Sequence, residues 1–206
     1  IYGVDINDMA VELCKVALWM EALDPGKPLS FLDHKIQCGN SLLGTTPALI
    51  EAGIPDEAFT AIAGDEKSFV SSLKRLNKQQ RAGQMDLPLV AEDSPSYGQI
   101  SSAIAELDRL DDSSVRGIRQ KQDRYRRIAN SAEYLKAKLI ADAWCAAFVW
   151  KKKKTAPPAV THDTLRSLQS NPTQVEQTTR EEIDRLTDQY VFIHWHLAFP
   201  DVFKIP

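Results

Sequence analysis

The chain has 206 residues, 43% of them hydrophobic and 26% charged, with 25 Lys and Arg against 28 Asp and Glu. That is an ordinary globular composition, long enough for one large or two small domains with a real core. No apolar run approaches the length of a membrane helix, and a net charge of −3 argues against a surface that grips nucleic acid throughout, leaving local basic patches as candidates.

Residues 1–5, Ile-Tyr-Gly-Val-Asp, read as a buried parallel strand closed by an acid. They carry neither a basic n-region nor a small-residue cleavage site, so a secretory leader is not expected. A chain that opens with Ile in mid-strand is read as a segment cut from a longer polypeptide. Asn7 or Asp8 can cap a helix in which Met9, Leu13, Val16, Ala17, Met20 and Leu23 fall on one face, until Asp24-Pro25-Gly26 stops it. Lys35 to Cys38 form a second short strand, closed by the Gly39-Asn40-Ser41 turn. Residues 1–46 therefore read as strand, helix, strand: one βαβ unit with a right-handed crossover.

Residues 47–188 change character and read as a large helical insertion. Helices are expected at 55–63 and 65–82, a loop at 83–97, a helix at 98–110, and a long helical stretch capped by Ser113 or Ser114 with Ile118, Tyr125, Ile128, Ala132, Leu135 and Leu139 at helical intervals. Residues 141–150 are apolar nearly all round, and their Ala content favours continued helix over strand. Short helices follow near 161–170 and 179–188, and 189–206 form an aromatic return segment. The fold class predicted is α/β, dominated by helices.

Cys14, Cys38 and Cys145 are odd in number, widely spaced and set among apolar residues. They read as buried thiols of a reducing, cytoplasmic protein. Arg116, Arg119, Lys121, Arg124, Arg126 and Arg127 crowd into twelve residues; they form either a solvated helix face or, through Arg124, Arg126 and Arg127, a DNA contact. Lys151 to Lys154 read as the cationic end of a helix. His194 and His196 alternate around Trp195 without an evident third ligand, so they read as surface or core histidines and no metal is expected.

Ligands of doubly wound sheets sit at the carboxyl ends of the strands. Asp5 stands where a carboxylate can accept hydrogen bonds from both ribose hydroxyls of a nucleoside cofactor, Ile6 can lie against the adenine face, and Asn40 can meet the adenine edge. A helix cap for Asp5 and a turn for Asn40 remain open as structural alternatives. An acid in this position would serve a nicotinamide cofactor equally well, although the chain has no GxGxxG fingerprint.

The run from Ile1 to Leu13, continuing to Leu18-Trp19, resembles the second motif of N6-adenine DNA methyltransferases of restriction-modification systems, above all the fused restriction-methylation proteins of the Eco57I type. Phe31-Leu32-Asp33-His34 with Cys38 to Gly44 is similar to their third motif. Asp142-Ala143-Trp144 with Ala146-Ala147-Phe148, and His194-Trp195 with Phe199 to Phe203, resemble the stretch before their catalytic strand. The resemblance implies a Rossmann-like methyltransferase fold using S-adenosyl-L-methionine, with Asp5 on the cofactor ribose and Asn40 by its adenine, where many relatives carry Asp. It implies DNA as partner. Trp144, Phe148 and Trp150 point to packing against other domains of the same polypeptide, and the apolar edges of a sheet without its central strands lead to the expectation that the isolated piece dimerises to cover them. The glycine-rich first motif and the catalytic Asn/Asp-Pro-Pro-aromatic tetrapeptide have no counterpart here, since Asn171-Pro172 is followed by Thr in a polar loop. No catalytic residue is therefore assigned, and the segment alone is expected to transfer no methyl group. A non-catalytic helical interaction module is the alternative.

Overall fold

The computed structural model describes residues 1–21, 31–84, 97–111 and 113–203. The expected helix stop at Asp24-Pro25-Gly26, the inward Leu23, and most of the 83–97 loop lie outside them. In chain order the elements are β1 (Gly3–Asp5), α1 (Asp8–Glu21), β2 (Ile36–Cys38), α2 (Pro47–Glu51), α3 (Lys67–Gln84), α4 (Tyr97–Leu107), α5 (Val115–Ala129), α6 (Ala132–Val149), α7 (His162–Ser170), α8 (Gln177–Tyr190) and α9 (Trp195–Ala198). Short 3-10 turns lie at Asp56–Phe59 and Pro172–Gln174. The chain is thus helix-dominated with a small parallel sheet, in which Gly3, Val4 and Asp5 pair with Ile36, Gln37 and Cys38. No helix among the described residues is long and apolar enough to cross a membrane.

The chain packs as two units. One comprises Ile1–Leu43, Ser96–Leu135 and Ile193–Pro206, the other Gly44–Pro95 and Lys136–Phe192. Division by packing thus differs from division along the chain at 46 and 188, because α4 and α5 group with the strands.

In the first unit, Asn7 rather than Asp8 caps α1, its side-chain oxygen accepting from the backbone N–H of Met9 at 2.9 Å and of Ala10 at 3.3 Å. The face that α1 buries is not the predicted one. Val11 and Lys15 are inside, while Met9, Leu13 and Met20 remain 64%, 63% and 62% exposed, and Val16 is exposed as well. Lys15 Nζ reaches Glu12 on the same helix at 2.7 Å and Asp33, distant in sequence, at 2.6 Å, so the side that carries Val11 and Lys15 faces the chain entering β2. Helical spacing identified a stripe; it could not say which side the described residues cover.

The predicted long helix from 114 is two helices. Ser114 Oγ accepts from Gly117 N at 3.1 Å and starts α5. A β-carbon on Gly117 would lie 2.2 Å from the Asp111 carbonyl oxygen, so this turn needs glycine for close approach. Asn130 then ends α5, and Ser131 Oγ accepts from Tyr134 N at 3.2 Å to start α6. Two residues that compete well for local backbone bonds interrupt an otherwise continuous apolar period.

In the second unit, Thr46 caps α2 with Pro47 following it. The expected helix at 55–63 is only a 3-10 turn, Asp56–Phe59. Residues 141–149 continue α6 as helix, and Ala141, Ala143, Ala146 and Ala147 are buried with Trp144 and Cys145. Asn77, fully buried on α3, donates to the Ile54 carbonyl at 2.9 Å and accepts from His162 N at 2.8 Å, while Trp144 Nε1 donates to the Gly53 carbonyl at 3.1 Å. One amide thereby satisfies two backbone groups that burial would otherwise leave without partners.

Candidate functional site

The strand ends bring the three predicted cofactor residues to one corner of the first unit. Parallel pairing sets Asp5 opposite Cys38, and Gly39 N donates to the Asp5 carbonyl at 2.8 Å, so the chain leaves both strands side by side. Asp5 is exposed, and one carboxylate oxygen accepts from Asn7 N at 2.8 Å. The cap itself belongs to Asn7, and the bond from Asn7 N engages one of the two Asp5 carboxylate oxygens. Ile6 is 58% exposed, and its carbonyl oxygen accepts a weak hydrogen bond from the Cys38 thiol at 3.5 Å.

Asn40 is half-buried, and its side-chain oxygen accepts from Leu42 N at 3.1 Å. The turn and ligand readings of this residue are therefore compatible. With its oxygen engaged, the amide has N–H groups to offer, and ring nitrogens of adenine are acceptors. A carboxylate acceptor, an exposed aliphatic and an amide donor thus stand at adjacent strand ends, a mix of groups compatible with an adenosine group.

The corner is held from beneath by the return segment. A β-carbon on Gly39 would stand 2.8 Å from Ile193 Cβ, so glycine lets the two chains touch. Ile193 N donates to the Leu43 carbonyl at 3.0 Å, Gln37 Nε2 to that of Ala198 at 2.9 Å, and Trp195 Nε1 to that of Ser41 at 3.3 Å. Ile193, Ala198 and Phe199 make a buried cluster with Val4 and Trp195 against it. Phe199 meets the Tyr2 ring edge-on at 5.3 Å, and Tyr2 hydroxyl donates to Asp201. Asp201 as acceptor pushes the Tyr2 hydroxyl up to about 12. The sequence marked this segment as aromatic but gave no signal that it would support the Gly39 turn.

Side chains entering β2 are pinned as well. Buried His34 shares a hydrogen bond with Asp108 Oδ1 at 2.9 Å, and Lys35 donates to Asp108 Oδ2 at 3.0 Å. Burial pulls the His34 ring below its ordinary 6.5 despite Asp108. Desolvation opposes ionisation of Asp108, yet the hydrogen bonds from His34 and Lys35 prevail and hold its carboxyl below the usual value. His162 is likewise pulled down, first by burial. All three shifts act in one direction: the unfolded chain takes up protons more readily. Stability is fully present above about pH 6.5 and falls as pH drops through that value, and again through the carboxylate range. Thermal melts are expected to be flat between about pH 7.5 and 8.5 and to shift down at about pH 5.5, with His34→Gln reducing the shift. A melting temperature independent of pH across this range would contradict the assignment.

The remaining candidates are placed as follows. Cys145 is buried, its thiol pushed up to about 12 by desolvation and then by Asp142, whereas Cys14 and Cys38 are exposed, contrary to the expectation of three buried thiols. Their apolar neighbours on α1 and at the strand end are themselves uncovered. His194 and His196 are both buried, with rings 6.2 Å apart and Tyr97 edge-on to His196 at 5.3 Å; His194 stands at the start of α9 and His196 lies within it, rather than alternating along an extended strand. Among the described residues no group of three His, Cys, Asp or Glu could hold a metal ion. Arg124, Arg126 and Arg127 are exposed on α5, in the unit that carries the strands.

No family model matches the chain, and no solved structure does. A curated relative from Methanocaldococcus jannaschii, named as a "putative type II restriction enzyme and methyltransferase", is 43% identical over 53 residues, 21% of this chain and 4% of the relative. The chain therefore spans a small fraction of that relative's length, and over this stretch it is similar to a restriction-modification protein.

Proposed function

We propose that this chain forms part of the S-adenosyl-L-methionine site of a DNA methyltransferase acting on adenine N6 within a restriction-modification system. The observation that carries the reading is the shared corner: parallel pairing puts the exposed Asp5 carboxylate, the exposed Ile6 and the Asn40 amide at adjacent strand ends. Ligands of parallel sheets bind at such strand ends. The restriction-modification relative, itself named a methyltransferase, supports the same class.

In this proposal the cofactor supplies an electrophilic methyl group, and the chain's own residues bind and orient its adenosine end. The Asp5 carboxylate accepts from the ribose, Ile6 packs on the adenine face, and Asn40 donates to the ring edge. Gly39, kept small against Ile193, sets the backbone position of that turn. No residue here is assigned a proton transfer. The acceptor base on DNA must leave the stack to present its amino group, a step given to parts of the enzyme other than this corner.

The test is calorimetric titration of S-adenosylhomocysteine into the polypeptide that carries this chain, wild type beside Asp5→Ala and Asn40→Ala. Hydrogen bonds to a charged group are worth about 1.5–3 kcal/mol each, so Asp5→Ala is expected to weaken binding about tenfold or more, and Asn40→Ala less. Binding unchanged by Asp5→Ala removes the corner as the cofactor site. Mass analysis of the methylated nucleoside then decides between adenine N6 and cytosine.

A further inference from the structure

α5 has two unlike faces. Gly117, Lys121 and Ile128 are buried, and Tyr125 leans on Phe31 with ring centroids 5.6 Å apart. The opposite arc exposes Arg116, Arg119, Arg124, Arg126 and Arg127, with Asp123 the one acid of the helix. Among the described residues, only Arg124 of these five is drawn into an ion pair, with Glu106 of α4 at 2.9 Å.

A solvated helix face looks different, and α8 provides the comparison within the same chain. Its exposed residues mix Glu181, Asp184 and Asp188 with Arg185, and charges bond along the helix, Arg185 to the half-buried Glu182 at 2.6 Å and Gln177 to Glu181 at 2.7 Å. On α5 the pairs Arg116/Arg119 and Arg124/Arg127 stand three residues apart as like charges, an arrangement that destabilises an isolated helix. A polyanion relieves that repulsion, and planar guanidinium forks match phosphate oxygens in pairs. Arg116 to Arg127 extend about 16 Å along the axis at 1.5 Å per residue, a length over which duplex DNA presents many phosphates.

We propose that the exposed arginine face of α5 is a sequence-independent contact for the phosphate backbone of duplex DNA. This rests on the DNA reading above and deepens it by naming the surface, in the same unit as the cofactor corner. The charge complementarity is local: it coexists with the net charge of −3 because most acids lie on other elements.

The experiment is fluorescence anisotropy of a labelled duplex of roughly 20 base pairs titrated with the polypeptide that carries this chain at about 50 and 200 mM salt. The variant R116Q/R119Q/R126Q/R127Q spares the Arg124–Glu106 pair that joins α5 to α4. It is expected to bind about tenfold or more weakly at the lower salt, equally for unrelated duplex sequences. The slope of log affinity against log salt should become shallower by about 0.9 for each phosphate that the variant no longer neutralises. An unchanged circular dichroism spectrum shows that the fold persists.

The companion variant K67Q/K74Q/K78Q/R81Q removes the same number of cations from α3, a helix without acids in the other unit, and is expected to change affinity less than about threefold. No duplex binding by the wild type, wild-type binding by the α5 variant, or an equal loss from the α3 variant would each overturn the proposal. The S-adenosylhomocysteine titration reports separately. DNA binding that depends on α5 without cofactor binding would remove the methyltransferase reading and leave the arginine face standing, and the reverse pattern would do the opposite.

Discussion

Gly53→Ala is expected to destabilise the chain by about 3 kcal/mol, lowering its melting temperature by roughly 6–12 °C. Gly53 has a φ of 81°, a left-handed conformation that by itself costs an L-residue energy. The added β-carbon would also lie 2.3 Å from Nδ1 of the buried His162 ring. Neither partner can yield easily. The Gly53 carbonyl accepts from Trp144 Nε1, and His162 is tied through its backbone N–H to Asn77, which in turn holds the Ile54 carbonyl. Shifting Gly53 or His162 therefore opens hydrogen bonds that water cannot replace. Thermal melting measures the loss, and Gly53→Ala combined with His162→Ala should recover part of it relative to the sum of the single changes. A melting temperature within about 2 °C of wild type for Gly53→Ala would show that the turn is not so constrained.

The second large effect concerns the candidate site. Phe199→Ala is expected to cost about 3–5 kcal/mol and to abolish binding of S-adenosylhomocysteine where the wild type binds it. Phe199 is almost fully buried between the rings of Tyr2 and Trp195 and in the cluster with Ile193 and Ala198. Its removal leaves a cavity under both strands and loosens the support of the Gly39 turn. Phe203, exposed at the edge of the same group, provides the contrast: its ring meets Trp195 at 5.4 Å, and Phe203→Ala should cost less than about 1 kcal/mol. Equal effects from the two changes would mean that the return segment is held by something other than its aromatic packing.

How much of this could be read from the sequence depended on whether the signal was local. The β1–α1–β2 order, the Ser114 cap, the turn at Asn40 and the helices at 162–170 and 177–190 follow from capping residues, glycine, proline and helical period, all within a few positions of one another. The placement of Asp5 and Asn40 at adjacent strand ends was legible for the same reason, since strand ends in a βαβ unit lie together by topology. What escaped was long-range. Nothing near Lys15 announces Asp33 as the partner that decides which face of α1 turns inward. Nothing near Gly39 announces Ile193, distant in sequence yet within touching distance of a β-carbon placed there. The split between α5 and α6 was local but ambiguous, because the apolar period runs through Asn130-Ser131 while the hydrogen-bonding side chains break it.

The interleaving of the two units along the chain sets an order of assembly during synthesis. Residues of the second unit have all been made once Phe192 is joined, whereas the first unit still lacks its last stretch, Ile193 onward, which carries Phe199 and the support for Gly39. At about 5–20 residues per second the stretch from Ile193 to Phe199 takes on the order of a second to translate. Until then β1 and β2 emerge without the cluster that seats them, and pairing strands so far from their supporting segment is slow because the long loop must close first. The strand ends therefore become native only after Ile193 and the segment that follows it have been made.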